Sequence, residues 1–113
     1  MIKIKNSEIW KVDLNPGKGS EHNGIRQAVV VSGNAMNDNL GVSLICPLST
    51  KVKNYAGCIL LTKDRLNGLS QNSEVITFQI RAVSQERFLE KLGEITIDQM
   101  NQIKRGLNDI LTY

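Results

Sequence analysis

Histidine occurs once, at His22, in a chain of 113 residues; cysteine occurs twice, tryptophan once, and Phe, Trp and Tyr together make up 4%. Each scarcity removes a class of chemistry. A lone imidazole excludes a two-imidazole acid–base pair within one chain. Cys46, Cys58 and His22 stand too far apart for a zinc pattern, and no Asp/Asn-rich loop suits calcium. The segment Gly17-Lys-Gly-Ser lacks the first glycine and the following helix of a phosphate-binding loop. No Gly-x-Ser-x-Gly elbow supports a serine hydrolase. Neither a metal nor a cofactor is therefore expected. No apolar run approaches the ~20 residues of a membrane span, and the opening Met-Ile-Lys-Ile-Lys-Asn lacks a signal peptide's apolar core. The expectation is a cytoplasmic protein with no membrane partner. In that compartment both cysteines read as reduced thiols, buried and inert beside apolar strands.

What is present fits one domain, residues 1–113, with a hydrophobic content of 41% that builds one core without staples. The net charge of +3 is mild, but its distribution is uneven. Residues 1–63 carry eight Lys/Arg and four Asp/Glu, a net of +4; residues 64–113 carry six and seven, a net of −1. An anionic ligand such as RNA is favoured by the first half.

The apolar pattern is mostly that of strands. Residues 8–14 alternate, with Trp10, Val12 and Leu14 on one face and Ile9 on the other. Asn15-Pro-Gly-Lys-Gly stops that strand. Ala28-Val-Val-Val is a continuous β-branched run, the pattern of a strand covered on both faces. Gly33-Asn34 and Asn37-Asp-Asn break the chain. Residues 42–48 form a third strand, whose Pro47 suits an edge or a bulge. Residues 58–62 form a fourth, and Asn67-Gly68 a turn. Residues 73–83 alternate as one long fifth strand, and 88–92 add a short one. Thr96-Ile-Asp-Gln matches a capping box, and Ile97, Met100, Ile103, Leu107 and Ile110 then form one apolar helical stripe. Five or six short strands followed by a helix argue for a small, twisted antiparallel barrel or half-barrel with the helix packed on it. Trp10 and Phe78, at strand positions, read as core.

Between the first two strands lies a polar loop, Ser20-Glu-His-Asn-Gly-Ile-Arg. Its composition, with the hydroxyls of Ser49 and Thr50, leaves metal-free acid–base work as the remaining chemistry. Cleaving RNA through its own 2′-hydroxyl needs a proton acceptor, a proton donor and cations on the phosphorane. Glu21, His22, Arg26 and a hydroxyl at Ser49 or Thr50 would divide those tasks. Arg26 is a poor acid, since its pKa exceeds ~12, but a fixed bidentate cation suits a trigonal-bipyramidal phosphate. The same residues also read as a solvated arginine, a loop histidine and a turn cap, and residue type does not separate the two readings.

Residue order does. The run Glu8-Ile-Trp-x-Val-Asp-Leu-Asn-Pro-x-x-Gly-Ser-Glu-x-x-Gly-x-Arg, a Val-rich strand, Pro47-Leu-Ser-Thr, then Gln79-Ile-Arg81 and a closing helix resembles the MazF/PemK family of toxin endoribonucleases over essentially the whole chain. The resemblance implies a mainly β (α+β) fold, the SH3-like barrel of the CcdB/MazF type, and a homodimer. It further implies metal-independent, sequence-specific cleavage of single-stranded mRNA to 2′,3′-cyclic phosphate and 5′-hydroxyl ends, and a cognate antitoxin with an acidic, disordered tail. Arg26 stands at the family's essential arginine, Ser49 where threonine is usual with Thr50 adjacent, and Glu21 at the loop glutamate. Lys18, Ser20, His22, Lys51, Lys53 and Gln79 are the expected RNA contacts, with Lys51 and Lys53 on flanking phosphates. The recognition sequence is expected to depend on loops 34–40 and 51–56. Gln27 replaces the proline that usually follows the arginine. Ile76 and Phe78 replace the arginine and aspartate of the Kid/PemK branch, so the pairing of arginine with a hydroxyl is the one carried over. Two rivals follow from the same residues. A CcdB-type gyrase poison depends on a tryptophan near the C-terminus, whereas the only tryptophan here is Trp10; a degenerate barrel would bind nucleic acid without cutting it.

Overall fold

In the computed structural model, which describes residues 3–16, 19 and 24–113, the first strand already divides the interior in two. β1 (Glu8–Asp13) sends Ile9 to one side of the sheet, and Trp10 and Val12 to the other. β2 (Ile25–Val30) and β3 (Val42–Ser49) repeat the division. Val29, Cys46 and Leu48 join Ile9, while Ala28, Val30 and Ile45 join Trp10, Val12 and Leu14. The β-branched run of β2 is thus covered on both faces, as a strand without polar alternation requires.

The Ile9 side is closed by α2 (Ile97–Thr112), whose Met100 and Ile103 are buried against it. Each such side chain contributes about 1.5–3 kcal/mol of burial. The capping box is formed: Gln99 N donates to Thr96 Oγ1 (3.1 Å) and Thr96 N donates to Gln99 Oε1 (2.9 Å). Ile97, the first residue of the expected stripe, is instead 80% exposed, because the first helical turn overhangs the sheet. On the other side Trp10 meets Phe88 edge-on, ring centroids 5.8 Å apart. The buried Glu8 carboxylate beneath them accepts from Trp10 Nε1 (3.0 Å) and Lys5 N (2.8 Å), and pairs with Lys91 Nζ (2.9 Å). Trp10 is core, as expected.

β4 (Ile59–Leu61), β5 (Ser73–Val75), β6 (Arg81–Ser84) and β7 (Phe88–Glu94) complete one antiparallel sheet in the order β4-β5-β3-β2-β1-β7, with β6 also on β3. The path does not close on itself among the described residues, so the barrel is an open one.

The expected long strand over 73–83 is broken, and the break shapes the site. β6 pairs with β3 through Ile45↔Arg81; that register, carried on, would set Leu48 opposite Phe78. Leu48 instead faces Val75 of β5. The three extra residues, Thr77–Gln79, are taken up in a 3₁₀ turn. Pro47 sits where β3 exchanges one partner for the other and is buried in a central strand, not on an edge. Its carbonyl accepts from Ile76 N (2.9 Å). A strand residue's N–H and C=O point to the same side, so the missing donor of Pro47 falls in the gap between β6 and β5.

A second departure is α1 (Asn34–Asn39), where the polar break was expected. Asn37 is buried there: its Oδ1 accepts from Ser32 Oγ (2.5 Å) and Ser43 Oγ (2.7 Å), and its Nδ2 donates to Ser32 O (3.0 Å). A side chain satisfied on both ends makes an asparagine-rich segment a docked helix in place of an open loop.

Candidate functional site

Arg26 lies on a strand, not at the end of the loop expected over 20–26: β2 begins at Ile25 and pairs Arg26 with Val12 of β1. The neck of the preceding loop is pinned by Leu14 N donating to Gly24 O and Gly24 N donating to Asn15 Oδ1, both 2.9 Å. Arg87 Nη1 donates to the carbonyls of Asp13 and Asn15 on the same neck. The guanidinium of Arg26 therefore starts from an anchored backbone on both sides.

The β2–β3 ladder runs Val30↔Ile45, Val29↔Cys46, Ala28↔Pro47. Continued by two residues it sets Arg26 opposite Ser49, and opposed residues of an antiparallel pair share a face. Thr50, one residue on, lies past the end of β3 and on the opposite parity. On its other side Ser49 is paired with Glu74 of β5. Ser49 and Glu74 thus oppose each other across β3 and β5, and Arg26 lies on β2, the neighbour of β3 on its other side.

Glu74 is 2% exposed. Its carboxylate accepts from Lys53 N and Tyr55 N, each at 2.9 Å, so a buried anion ties down the loop over 51–55. Two charge-assisted bonds of this kind satisfy an otherwise costly buried charge. The loop and the 3₁₀ turn then enclose a cleft of about 310 Å³ lined by Ser49, Lys51, Lys53, Tyr55, Ile76, Phe78 and Gln79. Lys5, Lys11 and Lys91 are engaged with Asp38, Glu90 and Glu8, whereas Lys51 and Lys53 take part in no ion pair among the described residues. The cleft accordingly combines two lysines outside any such ion pair with a hydroxyl.

Cys46 is buried behind the site, and burial with the nearby Cys58 pushes its thiol up to about 12, which removes it as a nucleophile. Cys58 is partly buried and lies 3.5 Å from Thr77 Oγ1. No group of three His, Cys, Asp or Glu side chains able to hold a metal occurs among the described residues. No helix among them is long and apolar enough to cross a membrane.

Residues 5–111 match the model of the PemK-like, MazF-like toxin of type II toxin-antitoxin systems. The chain belongs to this family. It is 30% identical over 109 residues, 92% of each chain, to "Endoribonuclease MazF9" of Mycobacterium tuberculosis. It is 32% identical over 103 residues to "Endoribonuclease toxin MazF" of Escherichia coli, covering 91% of this chain and 88% of that one. A crystal structure of MazF from Deinococcus radiodurans shares the fold over the whole length of both chains, with a TM-score of 0.86 at 24% identity. A MazE-MazF structure from the same organism matches at 25% identity and a TM-score of 0.79, covering 98% of this chain and 97% of that one.

Of the residues expected from sequence, the structure brings Ser49, Lys51, Lys53 and Gln79 into one cleft; Arg26 lies on β2, the strand paired with β3, and does not line it. Lys18, Ser20, Glu21 and His22 lie outside the described residues. Lys51, Lys53 and Tyr55 of loop 51–56 line the cleft; α1, which occupies 34–39, does not. Three residues went unread. Glu74 looks like any acid on an alternating strand, and its burial is visible only in three dimensions. Tyr55 had a usable signal, because Lys51-x-Lys53-x-Tyr55 interleaves basic and aromatic residues. Phe78 was read as core and is 48% exposed, because the 3₁₀ turn lifts it out of the sheet.

Proposed function

We propose that this toxin is a metal-independent endoribonuclease whose catalytic pair is Arg26 and Ser49. The observation that supports the proposal is a cleft lined by Ser49, Lys51 and Lys53, with Arg26 on β2, the strand that pairs with β3. In the reaction, the substrate's 2′-oxygen attacks the adjacent phosphorus as its proton leaves. The P–O2′ bond forms and the P–O5′ bond breaks, and the 5′-oxygen takes up a proton. The products are a 2′,3′-cyclic phosphate and a 5′-hydroxyl. Arg26 holds the two-fold charge of the pentacoordinate phosphate, where preorganised donors act most strongly. Ser49 donates to a non-bridging oxygen, with Thr50 as the neighbouring hydroxyl, and Glu21 accepts the 2′-proton. Lys51 and Lys53 hold flanking phosphates, and Lys18, Ser20, His22 and Gln79 contact the strand. Single-stranded mRNA is the substrate because a duplex hides its base edges.

The protein works in the cytoplasm as a homodimer, and an antitoxin with an acidic, disordered tail occupies the same basic groove and excludes RNA. Family membership and the similarity to a MazE-MazF structure support this part of the reading.

The test is incubation of the purified protein with a long single-stranded RNA in excess chelator, followed by mapping of the cut ends. Discrete cuts with 5′-hydroxyl ends are expected, with the rate reduced by about 10²–10³ in Arg26→Ala. RNA left intact by a protein that traps a DNA–gyrase complex would refute the reading. RNA bound but never cut would refute catalysis.

A further inference from the structure

Tyr55 and Phe78 come from elements separated in sequence, the loop after β3 and the 3₁₀ turn after β5, yet they meet in the cleft beside Ser49. Their rings pack edge to face, with centroids 5.2 Å apart and an interplanar angle of 86°. Tyr55 is 44% exposed and Phe78 48%. Such a pair uses one face of one ring and the edge of the other, so the exposed part of the rings is left for a further planar group. The segments that carry both rings are tied down. Glu74 fixes Tyr55 through its backbone N–H (2.9 Å), and Thr77, next to Phe78, donates from Oγ1 to Gly57 O (2.9 Å).

An aromatic pair that is exposed yet anchored has little conformational freedom left to lose on binding. It sits in a cleft whose size suits one nucleotide and whose rim carries Lys51 and Lys53. Aromatic faces interleaved with lysines are the arrangement that takes single-stranded nucleic acid, base on ring and phosphate on ammonium. From these observations we infer that Tyr55 and Phe78 form a stacking seat for one unpaired nucleobase next to the scissile phosphate. The two residues govern how substrate is held rather than how the bond is cut. The inference rests on the ribonuclease reading above and names a residue pair that reading does not use.

The test uses the full-length protein and a short single-stranded oligoribonucleotide spanning a mapped cut. A base stacked on an aromatic ring is worth a factor of roughly 5 to 150 in binding. Phe78→Leu and Tyr55→Leu are therefore expected to raise KM by about that factor while kcat stays within about two-fold, and both variants stay folded at the assay temperature, their unfolding midpoints lower by a few degrees at most. Phe78→Trp restores KM. An abasic nucleotide at the seated position raises the parent's KM similarly, and on that substrate Phe78→Leu adds nothing further. A KM unchanged in both leucine variants overturns the seat while leaving the enzyme intact. So does a leucine penalty that persists undiminished on every abasic substrate. If the parent binds RNA without cutting it, and Phe78→Leu weakens that binding, the seat stands and the catalytic reading falls. RNA neither bound nor cut overturns both.

Discussion

Replacing Glu74 by glutamine tests whether a buried anion shapes the cleft. The carboxylate accepts one hydrogen bond from Lys53 N and one from Tyr55 N, at 2.9 Å each. Bonds to a charged acceptor contribute about 1.5–3 kcal/mol apiece. Glutamine keeps one acceptor, turns the other into an NH2 group facing an N–H, and removes the desolvation cost that the carboxylate carries in the fold. The loss of one charge-assisted bond and the weakening of the other, offset by that relief, leave Glu74→Gln about 2 kcal/mol less stable. At this chain length the unfolding midpoint should fall by roughly 5–10 °C, measured at fixed protein concentration because a dimer's midpoint depends on it. The freed loop carries Lys51, Lys53 and Tyr55, so KM should rise several-fold more than kcat falls. A variant with parent stability and parent KM would show that the loop holds its shape without the carboxylate.

Ser49 and Thr50 are separable. Ser49→Ala should lower kcat by about 10²-fold, the loss of one donor to the phosphorane, while Thr50→Ala has the smaller effect because Ser49 lines the cleft and Thr50 does not; equal losses would contradict this reasoning. Gly106→Ala should destabilise despite the ~1 kcal/mol that alanine gains in a helix. A Cβ at Gly106 would lie well inside van der Waals contact of the Gly57 carbonyl oxygen and 3.5 Å from Thr77 Cγ2. Gly57, at φ +80°, cannot be reshaped cheaply to make room, so overpacking of about 1–3 kcal/mol wins; a urea titration showing a more stable variant would refute this. Lys91, hydrogen-bonded to Glu8, titrates above its usual value. A cation whose pKa is raised by folding stabilises fully below its unfolded pKa, and that contribution is lost as pH rises through the folded one. The difference in unfolding free energy between the parent and Glu8→Gln should thus be constant from neutral pH to about pH 10 and shrink above it. A difference that stays flat to pH 12 would exclude the pair as a source of stability.

Much of this protein was legible in one dimension. The alternation of Ile9 against Trp10 and Val12 assigned those side chains to two different cores, and the continuous run in β2 announced a strand buried on both faces. The capping box at Thr96 fixed where α2 starts. These features are local: period, capping and turn chemistry act between residues close in the chain, so residue order alone specifies them. The order of residues around Arg26 and Ser49 likewise singled out both as candidates.

Tertiary structure decided what depends on register. The alternation across 73–83 is the same whether the segment is one strand or two. Only the three-residue offset between the β5 and β6 pairings of β3, next to a proline that cannot donate, turns Phe78 out of the sheet. The burial of Glu74 and its hold on Tyr55 depend on a loop nineteen residues earlier in the chain folding back over it. Likewise, that Ser49 and not Thr50 opposes Glu74 follows from a ladder in which a slip of one residue would exchange the two hydroxyls. Residue types name the chemistry available to this chain. Strand register, a long-range property of the folded sheet, selects which of those groups meet.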